Sequence, residues 1–355
     1  MGLFTNHGPL KLPYVRIPYL SYIRVAACFA IIILHTFSAA EIIFRDQLTQ
    51  GQEMASTMLV YVSMWAVPCF IMVTGVLQLN PERELTMKEL FGTFIWRIVA
   101  ALILCCVIFQ LFDLLMDGET LNAANILQAF VKLFLGTSWA HLWYLYMLIG
   151  LYLFLPFFRL ITKHGSDALI KYLLIVCLFF ISVLPLTQLL GEDVRSAFII
   201  PLTTIYPVYL FLGYAIHHGI WKIGKPLAIT MIVASALLTI AGTWYKVFHD
   251  QDLPGIVVGS YASLIVVVLS CGVFALFRDW TLPDALDRVM YDLDRCSFGI
   301  YLFHMIFIRL VLRYWKFNPY EYGAWAFVVL ILAFFVISYA LVKILKLIPG
   351  INKII

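Results

Sequence analysis

Two side chains able to do chemistry share one apolar run. The stretch YLSYIRVAACFAIIILHTF, residues 19–37, carries Arg24 near its start and His35 near its end. Eleven residues at about 100° each close roughly three helical turns, so both side chains fall on nearly one face, about 16 Å apart along the axis. An arginine presents a fixed fork of donors suited to a phosphate or to a carbonyl that must be polarised. An imidazole titrates near pH 6.5, so at neutral pH it can take a proton from a hydroxyl or accept an acyl group transiently. Ionisable groups are costly inside a bilayer, which makes the pair a functional candidate. The structural alternatives are snorkelling of Arg24 to the lipid headgroups and a packing role for His35.

Three further stretches carry polar or aromatic groups within apolar surroundings. KELFGTFIWRIVAAL places Arg97 near the start of a run, HLWYLYMLIGLYLFLP begins with His141, Trp143 and Tyr144, and SFGIYLFHMIF supplies Ser297, Tyr301 and His304. Each taken singly also fits an interfacial aromatic belt or a polar packing contact. The stretch DRVMYDLDR, residues 287–295, offers Asp287, Asp292 and Asp294, but Arg288 and Arg295 are interleaved and no second Asp-rich motif exists, so it reads as a solvated loop. His217 and His218 read as loop residues too. None of the seven cysteines has a CxxC or Cys/His spacing suited to zinc, and no metal site is expected. There is no G-x-S-x-G elbow, Walker A loop or G-x-G-x-x-G turn.

The elements that must position these residues follow from composition. At 63% hydrophobic and 12% charged residues over 355, with mean hydropathy +0.96, the chain is far more apolar than soluble domains. Ten runs are long enough to cross the hydrocarbon: 18–40, 56–79, 92–116, 139–162, 168–190, 197–216, 226–247, 256–277, 293–315 and 324–348. The run 197–216 is interrupted by Pro201 and Pro207, and 121–135 is short enough to be an interfacial helix. The expected fold is an all-α polytopic bundle forming one integral membrane domain, residues 1–355. With the N-terminus inside, fourteen Lys and Arg fall in cytoplasmic segments against five outside, which predicts that both termini are cytoplasmic. The formal charge of +4 is thus a topology signal, and no basic stripe interleaved with aromatics points to nucleic acid. The N-terminal run and FSAAE imitate a signal peptide, but the run has the length of a full span.

Four stretches of the chain, taken in order, resemble the acyltransferase-3 family of bacterial integral membrane acyltransferases. RVAACFAIIILH has that family's Arg, ten residues, His in the first span, and VPCFIMVTGVLQL is similar to its segment ending in a Ser/Thr-Gly pair, here Thr74 and Gly75. HLWYLYMLIGLYLFLP matches its His-x-Trp segment, with Tyr152 and Pro156 in place, and SFGIYLFH its Ser-x-x-x-Tyr-x-x-His. Many members carry two glutamates five and six positions after that Trp, where this chain has Leu148 and Ile149, so His35 lacks its obvious orienting partner. The chain looks closer to the branch that includes the acetyltransferase of enterobacterial common antigen and the acyltransferase of the biofilm poly-N-acetylglucosamine locus. A doubly basic stretch before the third span is reduced to Lys88 and Arg97.

The resemblance implies an O-acyltransferase of the bacterial cytoplasmic membrane, with an O-acetyltransferase expected. His35 would be catalytic. Arg24 and Arg97 would hold acyl-CoA, the co-substrate, and no tightly bound cofactor is expected. His141, Trp143, Tyr144, Ser297, Tyr301 and His304 would meet the acceptor, a glycan or its polyprenyl-linked precursor. The lipid bilayer is the other partner, and self-association is left open. The rival reading is a non-enzymatic exporter of such a glycan, for which paired repeats or broken midplane helices would be the sign, and no repeat is present.

Overall fold

The computed structural model describes residues 16–120, 122–191, 204–249 and 253–355. A segment in hydrocarbon must satisfy its own backbone groups, and this sequence does so entirely with helices; no strand occurs among the described residues. Among the described residues, eight helices are long and apolar enough to cross a membrane: α1 (Pro18–Gln47), α2 (Gln50–Gln78), α3 (Met87–Met116), α5 (Ala140–His164), α6 (Asp167–Leu190), α8 (Lys225–Phe248), α10 (Asp284–Tyr314) and α11 (Ala324–Leu345). Shorter helices include α4 (Ala123–Leu135), α7 (Tyr206–His217) and α9 (Leu264–Arg278). The chain is an all-α polytopic membrane bundle.

Eight of the ten expected spans therefore coincide with long helices, and the other two differ. The expected run 256–277 is divided: Gly255–Val258 makes one helical turn, and α9 begins only at Leu264, where Ser263 caps it. The run 197–216 appears as α7, with Pro207 in its first turn, where a missing N–H costs nothing. Residues 197–203, and Pro201 with them, lie outside the described residues.

Two further expectations are corrected. Residues 287–295 are not a loop, because α10 starts at Asp284 and runs through them; each aspartate there has a basic or hydroxyl partner on a neighbouring helix. Arg16 Nη1 and Tyr22 Oη donate to Asp287 at 2.6 Å each, while Lys343 Nζ donates to Asp292 at 2.9 Å. His217 is the last residue of α7 and not a loop residue; its Nδ1 lies 2.7 Å from the hydroxyl of Tyr19.

The core is built around α1, which packs against α2, α9, α10 and α11. Ile23, Ala27, Ile32 and Ala40 of α1 are fully buried. Helices α2 and α7 cross in close backbone contact. A Cβ on Gly75 would stand 2.0 Å from the Leu210 carbonyl oxygen, and one on Gly213 would stand 2.2 Å from that of Met72. Small residues permit such backbone contact between membrane helices.

Candidate active site

Helices α1 and α10 run parallel and in register. Arg24 meets Asp294, the Cys28 thiol donates to the Ser297 carbonyl at 3.6 Å, and His35 meets His304, at sequence separations of 270, 269 and 269. The spacing of Arg24 and His35 is thus answered on the facing helix by Asp294 and His304, ten residues apart. At one end of this seam Arg24 Nη2 donates to Asp294 Oδ2 at 2.7 Å, with Nε 2.7 Å from Oδ1. The Asp294 side chain is only 6% exposed, and Ser297 Oγ donates to its backbone carbonyl at 2.7 Å. Arg24 is accordingly an ion-paired residue of the helix seam and not a side chain that snorkels.

Beside this pair opens a cavity of about 670 Å³, within the range typical of small-molecule sites. Its basic lining residues are Arg24, Arg83, Arg97, Arg295, Lys346 and Lys353, against Asp294 as the acidic one. Arg97 Nε donates to the Ile354 carbonyl at 2.9 Å, and its guanidinium lies 5.3 Å above the Phe298 ring. Arg97 enters the cavity just after a π-helical stretch, Leu90–Ile95, which also presents Phe94 to Tyr152, their ring centroids 5.7 Å apart. Along the seam the lining continues through Ser297 to Tyr144 and Tyr301, whose rings meet edge to face at 5.3 Å.

The histidines lie one ring further on. Tyr301 is centred 5.9 Å from His141 and 6.1 Å from His304, and its hydroxyl donates to the His141 backbone carbonyl. His35 Nδ1 and His304 Nε2 stand 2.7 Å apart in rings only 10° from parallel, and His141 is centred 6.1 Å from His35. His304 is 0% and His141 2% exposed, whereas His35 is partly exposed. Neither His141 nor His304 presents open surface in this structure. Phe109, Trp139 and Phe303 close the cluster above, and Trp139 is pinned by Asp113 at 2.8 Å and by Arg309 4.2 Å over its ring.

Trp143 and Tyr144, both read from the sequence as acceptor contacts, face different parts of the structure. They are neighbours at the start of α5, where successive side chains diverge by about 100°. Tyr144 turns into the basic cavity; Trp143 turns to Tyr206 and Tyr261, each centred 5.6 Å away. The structure brings Arg24, Arg97, Tyr144, Ser297 and Tyr301 to one cavity, together with Asp294 and Arg295, which the sequence reading placed in a loop, and with Lys346 and Lys353, which it did not single out for the site. Asp294 carried a readable signal: an acid ten residues before a histidine, leading into an apolar run.

No three or more His, Cys, Asp or Glu among the described residues are grouped to hold a metal ion. The site is thus a basic cavity joined through two tyrosines to a buried imidazole cluster, a donor set suited to an anionic co-substrate and a proton transfer. No curated protein and no solved structure matches the chain. The profile of the acyltransferase-3 family, described as an acyltransferase domain, matches residues 17–343. The chain belongs to the acyltransferase-3 family and is a multi-pass membrane acyltransferase.

Proposed function

We propose that this acyltransferase moves an acyl group, acetyl first among candidates, from cytoplasmic acyl-CoA to a hydroxyl of a cell-surface polysaccharide or its polyprenyl-linked precursor. The observation that carries the reading is the placement of a strongly basic cavity and a partly open imidazole at two levels of one helix seam. Phosphates of the donor suit Arg97 and the neighbouring Arg295, Lys346 and Lys353, while the acyl thioester extends along the seam toward Tyr144 and Tyr301. His35 takes the proton from the acceptor hydroxyl as its oxygen attacks the thioester carbonyl. The carbon–sulfur bond breaks, and the CoA thiolate leaves with that proton. Trp143, with Tyr206 and Tyr261, supplies aromatic faces on which a sugar ring can stack. The chain is assigned to the bacterial cytoplasmic membrane, with the basic cavity on the cytoplasmic side.

The test uses purified protein in detergent. Titration with a non-hydrolysable acyl-CoA analogue should give saturable binding, and acetyl-CoA should be hydrolysed slowly without acceptor. His35→Ala should abolish hydrolysis and transfer while analogue binding and thermal unfolding stay near wild type. A protein that neither binds the analogue nor cleaves the thioester is not this enzyme, and the exporter reading then takes its place.

A further inference from the structure

Leu148 and Ile149 stand where many sequences that this chain resembles carry glutamates, and the structure supplies another partner for His35. His304 Nδ1 lies 3.2 Å from the carbonyl oxygen of Ile300, one turn back on α10. A carbonyl only accepts, so Nδ1 of His304 carries a proton and donates it; in the neutral ring Nε2 is then an acceptor. His35 Nδ1 stands 2.7 Å from that acceptor and must be the donor. The proton of neutral His35 therefore resides on Nδ1, and its lone pair is on Nε2. His141 is fixed the same way, since its Nε2 lies 3.1 Å from the Leu302 carbonyl and donates to it. Two carbonyls of one helix thus set the tautomers of the cluster. No carboxylate takes part in any of these hydrogen bonds.

We infer that His304 is the positioning residue of this acyltransferase, an imidazole that fixes the tautomer of His35 without a carboxylate. The inference rests on the reading of His35 as the base. With Nδ1 engaged, His35 Nε2 is left to take the hydroxyl proton. The imidazolium so formed keeps its Nδ1–H on His304 Nε2, now a charge-assisted bond, stronger than a neutral one. The proton then passes from Nε2 to the departing thiolate, and both rings return to their starting tautomers. His304 touches neither donor nor acceptor, consistent with its complete burial. A neutral partner of this kind adds no full negative charge to the apolar centre of the bundle, where an ionised carboxylate would be costly.

Two measurements test this. Protein labelled with ¹⁵N-histidine, observed by NMR in detergent, should show a protonated Nδ1 coupled across a hydrogen bond to an unprotonated Nε2, and His35→Ala should remove the coupling. A His35 proton on Nε2 overturns the inference, whatever the activity. In turnover assays His304→Phe, which fills the space without an acceptor, should lower kcat by about a hundredfold, the scale of acid–base assistance. KM for acyl-CoA should stay within about twofold, and the acidic limb of the pH–rate profile should move. His304→Gln restores an acceptor and should recover about tenfold of the loss. A folded His304→Phe with wild-type kcat overturns the inference while leaving the function standing, as does a loss that merely follows thermal stability with an unmoved pH profile. If the wild type itself transfers no acyl group, the proposed function fails, and the role of His304 fails with it.

Discussion

Arginine 24 and arginine 97 look alike in the sequence and differ in what neutralises them. Arg24 is matched by the buried Asp294 carboxylate at 2.7 Å, whereas Arg97 rests on a neutral carbonyl and an aromatic ring. Removing one member of a buried pair leaves an uncompensated charge, which costs about 3–5 kcal/mol. Arg24→Ala should therefore lower thermal stability markedly, and adding Asp294→Ala should recover part of that loss in a double-mutant cycle. Additive losses would deny the coupling. Arg97→Ala should leave stability nearly unchanged and weaken acyl-CoA binding instead. A charge-assisted contact contributes about 1.5–3 kcal/mol, which is roughly ten- to a hundredfold in Kd. Isothermal titration distinguishes the two, and an Arg97→Ala variant with wild-type donor affinity would remove Arg97 from the phosphate site.

At the scale of elements, the crossing of α2 and α7 fixes one wall of the bundle through backbone contact. Gly75 and Gly213 are the two residues that allow it, since a Cβ on either would lie within 2.0–2.2 Å of a carbonyl oxygen of the facing helix. The neighbouring Thr74 lines the basic cavity, so this crossing also holds one of its faces. Alanine at Gly75 or Gly213 should destabilise by at least the 1–3 kcal/mol usual for overpacking, since neither backbone can yield alone. Gly150 of α5 is the control, with nothing within 4 Å of its would-be Cβ. Alanine there should be neutral or slightly stabilising, as alanine is the better helix former by about 1 kcal/mol. A thermal-unfolding series in one detergent measures all three, and equal melting temperatures for Gly75→Ala and Gly150→Ala would refute the close-crossing account.

At the scale of the whole molecule, polar contacts among the described residues gather at two groups of helix ends. At one end Arg16 meets Asp287, Thr162 Oγ1 donates to the Leu79 carbonyl at 2.7 Å, and Arg278 Nη1 donates to that of Ile216 at 3.1 Å. At the other, Asn318 Nδ2 donates to Gln47 at 3.0 Å, and the Ser56 and Tyr320 hydroxyls lie 2.6 Å apart. These are the segments that the charge bias assigns to inside and outside respectively. A cysteine at Asp46 should react with an impermeant thiol reagent applied to intact cells, and cysteines at Glu84 or Lys222 should not. All three sites are exposed, while the seven native cysteines are buried, so background labelling should be low. The reverse pattern would place the basic cavity on the outer face and overturn a cytoplasmic donor.

The sequence by itself determined what lipid physics enforces. Runs of about 20 apolar residues must be helical because hydrocarbon offers the backbone no other partner, and 100° per residue puts Arg24 and His35 on one face of α1. It also gave the family, since the Arg–His, His-x-Trp and Ser-x-x-x-Tyr-x-x-His spacings are local patterns. Which helix lies against α1 is not local. Asp294 read as part of a solvated loop because arginines flank it in sequence, yet across the bundle it faces Arg24 with a side chain 6% exposed. Nothing in the helix of His304 says that a second imidazole stands 2.7 Å away. Tertiary packing decided both. Helices 1 and 10 run parallel in register, and only that registration turns two separate spacings, eleven residues on one helix and ten on the other, into one ion pair and one pair of imidazoles.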